Sequence, residues 1–114
     1  MIKRHFKGRI MHGVVEHNDV FYFGGVTASD TSVGMEDQTS QICSKIDKLL
    51  ADCGLSKTNL ITAMIYLSDF SKKEEMNGAW LAWLPAESLP TRATIGVADL
   101  GSNVLIEVVV SAAR

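Results

Sequence analysis

Apolar residues along this chain fall into two rhythms, short runs of strand length and longer stretches that recur every three to four positions. From Met11 to Val26 apolar and aromatic residues flank His17-Asn18-Asp19, which predicts two strands joined by a tight turn. Beyond a polar loop from Ser29 to Gly34, Ile42, Ile46, Leu49, Leu50 and Cys53 keep helical spacing, so Glu36 to Cys53 is expected to be an amphipathic helix. Gly54 is its stop signal, with Leu55 placed to touch Leu50 in a Schellman-type ending. Leu60 to Leu67 is short, apolar and rich in Ile, Thr and Tyr, the signature of a buried strand. Ser71 and Glu74 fit a capping box for a second helix, whose stripe of Met76, Ala79, Trp80 and Trp83 runs down to Leu84. Pro85 and Pro90 punctuate the next loop. Arg92–Val97 and Val104–Ser111 then read as two strands around Asp99-Leu100-Gly101-Ser102-Asn103, a C-terminal hairpin.

The order ββαβαββ predicts an α/β (α+β) fold: a two-layer sandwich in which one mixed sheet carries both helices on one face. Two helices cannot cover both sides of such a sheet. The Leu60–Leu67 and Val104–Val110 strands are nevertheless apolar at nearly every position, so association of chains through the sheet is expected.

Composition narrows the function classes. With 114 residues and 46% hydrophobic content, residues 1–114 are expected to form one domain with a real core. A formal net charge of -2 gives no overall pull toward nucleic acid or an anionic membrane. The basic cluster Lys3, Arg4, Lys7 and Arg9 reads as a solvated terminus. Neither a signal peptide nor an apolar run of spanning length is visible, so a cytoplasmic location is expected. Cys43 and Cys53 stand ten positions apart on one helix, ~15 Å along its axis, too far for a disulfide. His5, His12 and His17 lack paired ligand spacing, and no G-x-S-x-G elbow is present, so neither a metal nor a cofactor is expected. Gly24-Gly25 lacks the Gly-Lys-Ser/Thr of a phosphate loop and instead suggests close backbone approach at a cleft.

Two residues carry candidate chemistry. Glu107 interrupts Val104-Leu105-Ile106-Glu107-Val108-Val109-Val110; it is either an edge-strand acid facing water or a desolvated carboxylate that needs a partner. Arg92 opens the preceding strand after Leu89-Pro90-Thr91, where a guanidinium could hold a carboxylate through two parallel hydrogen bonds, geometry that Lys cannot reproduce.

The ending LPTRATIGVADLGSNVLIEVVVSA, with Pro-x-Arg opening one strand and an Ile-Glu pair in the last, resembles the C-terminal signature of the YjgF/RidA family. MNGAWLAWL is similar to that family's second helix, including Asn77 and an aromatic at Trp80, and Phe21-Tyr22-Phe23-Gly24-Gly25 is similar to its second strand. The resemblance spans roughly Met11 to Ala113 and is nearest to the YoaB-like branch. It implies a chorismate-mutase-like fold and a homotrimer with three clefts between subunits. It further implies hydrolysis of 2-imino and enamine acids to 2-oxo acids and ammonia, in the manner of 2-iminobutanoate/2-iminopropanoate deaminases. Under that resemblance Arg92 binds the substrate carboxylate, Glu107 orients or activates water, Asn77 shapes the cleft, and Gly24 and Thr94 lie on its wall. Met11 replaces a common Tyr, Gly24 a common Ser, and Thr94 a common Cys, which strips hydroxyl and thiol groups from that wall. Imines react readily with water, so positioning and a proton acceptor suffice. The alternative is a non-catalytic trimer that binds small carboxylates or docks another protein. Members are also described as ribonucleases or translation inhibitors, but the acidic balance and the lack of a basic groove with stacking aromatics argue against that role here.

Overall fold

Strand pairing in this molecule begins earlier and ends differently than the hydrophobic pattern predicts. The computed structural model describes all 114 residues, Met1–Arg114. The elements in chain order are β1 (Lys3–Lys7), β2 (His12–His17), β3 (Val20–Phe23), α1 (Met35–Asp52), β4 (Leu60–Leu67), α2 (Lys73–Trp83), β5 (Thr91–Gly96) and β6 (Ile106–Ala113). One six-stranded mixed sheet has the order β1-β2-β3-β6-β4-β5, and α1 packs beside α2. No helix is long and apolar enough to cross a membrane.

Local chemistry explains the boundaries. Asn18 and Asp19 both adopt positive φ, 51° and 67°, the mirror-image turn whose twist suits a two-residue hairpin between β2 and β3. α1 stops as expected: Gly54 takes φ 75°, its N–H donates to Ala51 O at 3.0 Å, and the Leu55 N–H donates to Leu50 O at 2.8 Å. Ile42, Ile46 and Leu50 on α1 meet Ile65 and Leu67 of β4 and Ile106 and Val108 of β6 in one core, with Met76 and Trp80 supplied by α2. Each such side chain contributes roughly 1.5–3 kcal/mol on burial.

Three expectations need correction. The basic N-terminus is not merely a solvated tail, because Lys3–Lys7 forms β1 on β2. Its charges remain outside, which is how an edge strand resists pairing with other chains. The capping box of Ser71 and Glu74 does not form. Asp69 is the cap, accepting from the Ser71 N–H at 3.1 Å and from Ser71 Oγ at 2.6 Å, so a 3₁₀ turn over Phe70–Lys72 precedes α2 and leaves Glu74 available elsewhere. Nor do the last two strands make a hairpin. β5 runs parallel to β4, the product of a β4–α2–β5 crossover, while β6 inserts between β3 and β4 and is antiparallel to both.

The buried Gln38 ties the loops to this frame. Its Nε2 donates to the carbonyls of Val33 and Asn103 at 3.0 Å and reaches Thr31 O at 3.4 Å, while its Oε1 accepts from the Leu105 N–H at 3.0 Å. It thereby fixes the approach to β6, the strand that carries Glu107.

Candidate active site

Register decides where the candidate side chains point. Residues paired across neighbouring strands share a face, and successive residues alternate. Arg92 and Thr94 pair with Ala63 and Ile65, which are buried under the helices, so both lie on the helical side of the sheet. Glu107 pairs with Tyr66 and therefore lies on the open side. Arg92 and Glu107 of one chain cannot meet, and the pairing expected from a C-terminal hairpin is absent within the protomer.

On the helical side Arg92 lines a cavity of about 330 Å³ with Glu74, Asn77, Trp80, Leu81, Leu89 and Pro90. Four of the lining residues, Glu74, Asn77, Trp80 and Leu81, come from α2, so that helix supplies the wall facing Arg92. The Arg92 guanidinium stands 6.0 Å from the Trp80 ring centroid, and its Nη1 lies 3.9 Å from Met76 Sδ. None of the ion pairs in the molecule includes it. Desolvation pulls the guanidinium below its ordinary pKa and the Glu74 carboxylate opposes that shift; an arginine stays charged throughout. Asn77 Nδ2 donates to Glu74 Oε1 at 3.1 Å, whereas Asn77 Oδ1 and Thr94 Oγ1 are buried without a hydrogen-bond partner. The pocket thus offers a cation held in no ion pair, with the Glu74 carboxylate on the same lining and an aromatic wall beside it, which suits a small organic anion.

The open side holds a different group. Between the pairs Tyr22↔Ser111 and Val26↔Val108, residues Phe23, Gly24 and Gly25 face only Val109 and Val110, which is a β-bulge. A Cβ on Gly25 would fall on the Glu107 carboxylate, and one on Gly24 would fall on the Met11 methyl. The two glycines therefore make room for Glu107 and Met11. Gly24 N–H donates to Gly13 O at 2.9 Å and Val26 N–H to Val108 O at 2.9 Å, but the Gly25 N–H between them finds no backbone acceptor. A carboxylate beside a free amide N–H is equipped to hold and deprotonate a water molecule.

Arg92 and Asn77 thus share one pocket, Thr94 lies on the same face of the sheet but outside that lining, and Glu107 lies on the opposite face with Gly25 against its carboxylate and Gly24 against Met11. Sequence reasoning gave Glu74 only as a cap, and Trp80 as part of the apolar stripe and as the aromatic of the family's second helix, and expected neither beside Arg92. Their positions at Asn77 minus and plus three on α2, one turn either side, were the available signal.

Residues 6–114 match the family described as Endoribonuclease L-PSP. The chain belongs to the YjgF/RidA family. It is 35% identical over 100 residues to a RutC family protein of Haemophilus ducreyi, covering 88% of this chain and 86% of that protein. It is 32% identical over 100 residues to the RutC family protein YoaB of Escherichia coli, covering 88% and 87%. The crystal structure of NMB1025 from Neisseria meningitidis, a YjgF family member, superposes with a TM-score of 0.94 at 27% identity, over 100% of this chain and 95% of that one. The mixed sheet with its two helices is therefore the YjgF fold, as the α+β reading expected. Membership in the YjgF/RidA family supports a small-molecule deaminase or an endoribonuclease-like role.

Proposed function

We propose that this protein hydrolyses 2-imino and enamine acids to 2-oxo acids and ammonia in clefts shared by neighbouring copies of a homotrimer. The observation that carries the reading is the pair of half-sites. An unpaired Arg92 waits in a pocket on one face, and Glu107 with a free Gly25 N–H waits on the other. The open face supplies the means of joining them. Tyr22, Ile61, Met64 and Val109 line an apolar hollow of about 480 Å³ there, and Tyr22, Ile61 and Ile95 are 54%, 40% and 41% exposed. Apolar surface of this kind favours association. A contact that sets the Arg92 half of one copy against the Glu107 half of the next is head-to-tail, and a rotation of one third of a turn between copies closes it as a three-membered ring.

In that cleft Arg92 holds the substrate carboxylate bidentately and brings C2 of the imine to the water beside Glu107. An enamine enters as its imine tautomer. Water adds to C2 as Glu107 accepts its proton and passes it to the nitrogen, so that the C=N bond becomes a C–N bond. Collapse of the carbinolamine forms the C=O bond and breaks the C–N bond as the hydroxyl proton moves by way of Glu107 to the departing nitrogen, which releases ammonia, leaves the 2-oxo acid and restores the Glu107 carboxylate. No metal or covalent nucleophile is needed for so reactive a substrate.

An endoribonuclease-like role draws no support from the surface. The single pocket cation, Arg92, has Glu74 beside it, and the basic residues of β1 lie at the opposite edge of the sheet from β5. A non-catalytic carboxylate-binding module is favoured by one observation: Met11 and Gly24 place a thioether where the family pattern commonly offers hydroxyls.

The test measures ammonia release from freshly generated 2-iminopropanoate. Arg92→Ala is expected to lower kcat/KM about a hundredfold, on the order of 3 kcal/mol. Co-refolding equal amounts of Arg92→Ala and Glu107→Gln chains should restore about a quarter of wild-type activity, because random assembly rebuilds that share of clefts with both residues intact. Imine decay at the buffer rate with wild-type protein, while a 2-oxo acid still binds through Arg92, would leave the binding module in its place.

A further inference from the structure

We infer that Glu74 is a specificity-determining residue, an electrostatic filter at the pocket mouth that admits 2-oxo and 2-imino acids with neutral or cationic side chains and rejects dicarboxylates. The inference rests on the proposed carboxylate-binding role of Arg92 and adds what happens at the other end of the ligand.

The two acids opening α2 differ in what they do. Glu75 is neutralised by Lys72, Oε2 to Nζ at 3.5 Å. Glu74 makes no ion pair; its Oε1 accepts from Asn77 Nδ2, which aims the carboxylate at the cavity it lines with Arg92. The neighbouring cation Lys73 is turned away, its Nζ 5.3 Å from the Phe70 ring centroid. The pocket therefore contains one positive and one negative group, separated enough not to pair yet close enough for Glu74 to act on the Arg92 guanidinium. A ligand whose carboxylate neutralises Arg92 extends its side chain past Trp80, Leu81 and Leu89, and this apolar wall accepts aliphatic groups. A second carboxylate on that side chain meets Glu74 without a remaining cation to offset it. Like charges at such range inside a cleft discriminate by about five- to tenfold. Because Glu74 is exposed to solvent, this discrimination must weaken as salt screens it.

The decisive probes are 2-oxopentanoate and 2-oxoglutarate, which share a five-carbon chain and differ in one terminal carboxylate, together with the 2-oxo acid of arginine as the cationic counterpart. Calorimetric Kd values would be measured on the full-length wild type, Glu74→Gln and Arg92→Ala. Glu74→Gln keeps an acceptor for Asn77 and removes only the charge. Wild type should prefer 2-oxopentanoate to 2-oxoglutarate about five- to tenfold, with the cationic acid at least equal to the neutral one. Glu74→Gln should bring the ratio to within about twofold of unity, as should ionic strength near 1 M, where the screening length is about 3 Å. An unchanged wild-type ratio in Glu74→Gln, with all three ligands still weakened by Arg92→Ala, overturns the filter alone. Ligands that bind Arg92→Ala as tightly as wild type overturn the carboxylate site beneath it.

Discussion

Gly25→Ala separates the site from the fold more cleanly than any change at a charged residue. Gly25 is not among the glycines with positive φ, so the backbone there accepts alanine. The added Cβ would land on the Glu107 carboxylate, 2.8 Å from Cδ and 3.2 Å from Cγ. Relief comes from the flexible end of that side chain. Restoring a contact of about 3.5 Å moves Cδ by about 0.7 Å, and the oxygens further. A displacement near 1 Å at a catalytic group costs about a hundredfold in rate, or about 2.7 kcal/mol of transition-state stabilisation. Stability should barely register the change. Replacing glycine at a compatible φ contributes about 0.4–1 kcal/mol, and a shifted Glu107 rotamer costs about 0.5–1.5 kcal/mol in return. The assay is ammonia release from 2-iminopropanoate beside thermal unfolding at matched protein concentration. Activity within about threefold of wild type, with an unchanged melting curve, would refute the role given to the Glu107 position.

Three further outcomes concern the core and its polar ties. Gln38→Met removes three hydrogen bonds of 3.0 Å made by a fully buried side chain; at about 1 kcal/mol each, and about 4 °C per kcal/mol for a chain of this length, Tm should fall about 12 °C by circular dichroism. Ile46→Ala, at a fully buried core position, should cost about 2–5 kcal/mol in urea unfolding. Burial, with Asp47 adding to it, pushes the Cys43 thiol up from 9.0 to about 12. Over that interval the unfolded chain loses a proton that the folded chain keeps, so stability falls as pH rises from 9.0 toward about 12; Cys43→Ala should flatten the alkaline decline in urea midpoints.

The sequence disclosed most of the elements because their signals are local. The φ-positive pair Asn18-Asp19, the Gly54 stop and the period of Ile42, Ile46 and Leu50 each act within a few residues, and all three behave as expected. β1 escaped notice because Lys3, Arg4 and Lys7 carry no apolar alternation; its formation depends on β2 as a template. The capping box failed for a local reason too. Asp69, two residues before Ser71, takes both its N–H and its hydroxyl in a local Asx turn, which occupies the two groups the box would need and leaves Glu74 for Asn77 and the pocket.

Sheet order could not be read in the same way, and it governs the site. Nothing near Arg92 or Glu107 announces that β6 will slot between β3 and β4 while β5 crosses over to the far edge. That single insertion converts two residues of an imagined hairpin into residues of non-adjacent strands, one pairing with Ala63 and the other with Tyr66. Ala63 and Tyr66 are three positions apart on β4, an odd number, so alternation along that one strand puts the guanidinium and the carboxylate on opposite faces. A sheet is opaque to side chains, and no rotamer change brings them together. Chemistry that needs both must recruit one of them from a second chain, and the apolar open face is the surface that can pay for that encounter. The site's incompleteness within one protomer is therefore the physical reason to expect activity and assembly to be lost together.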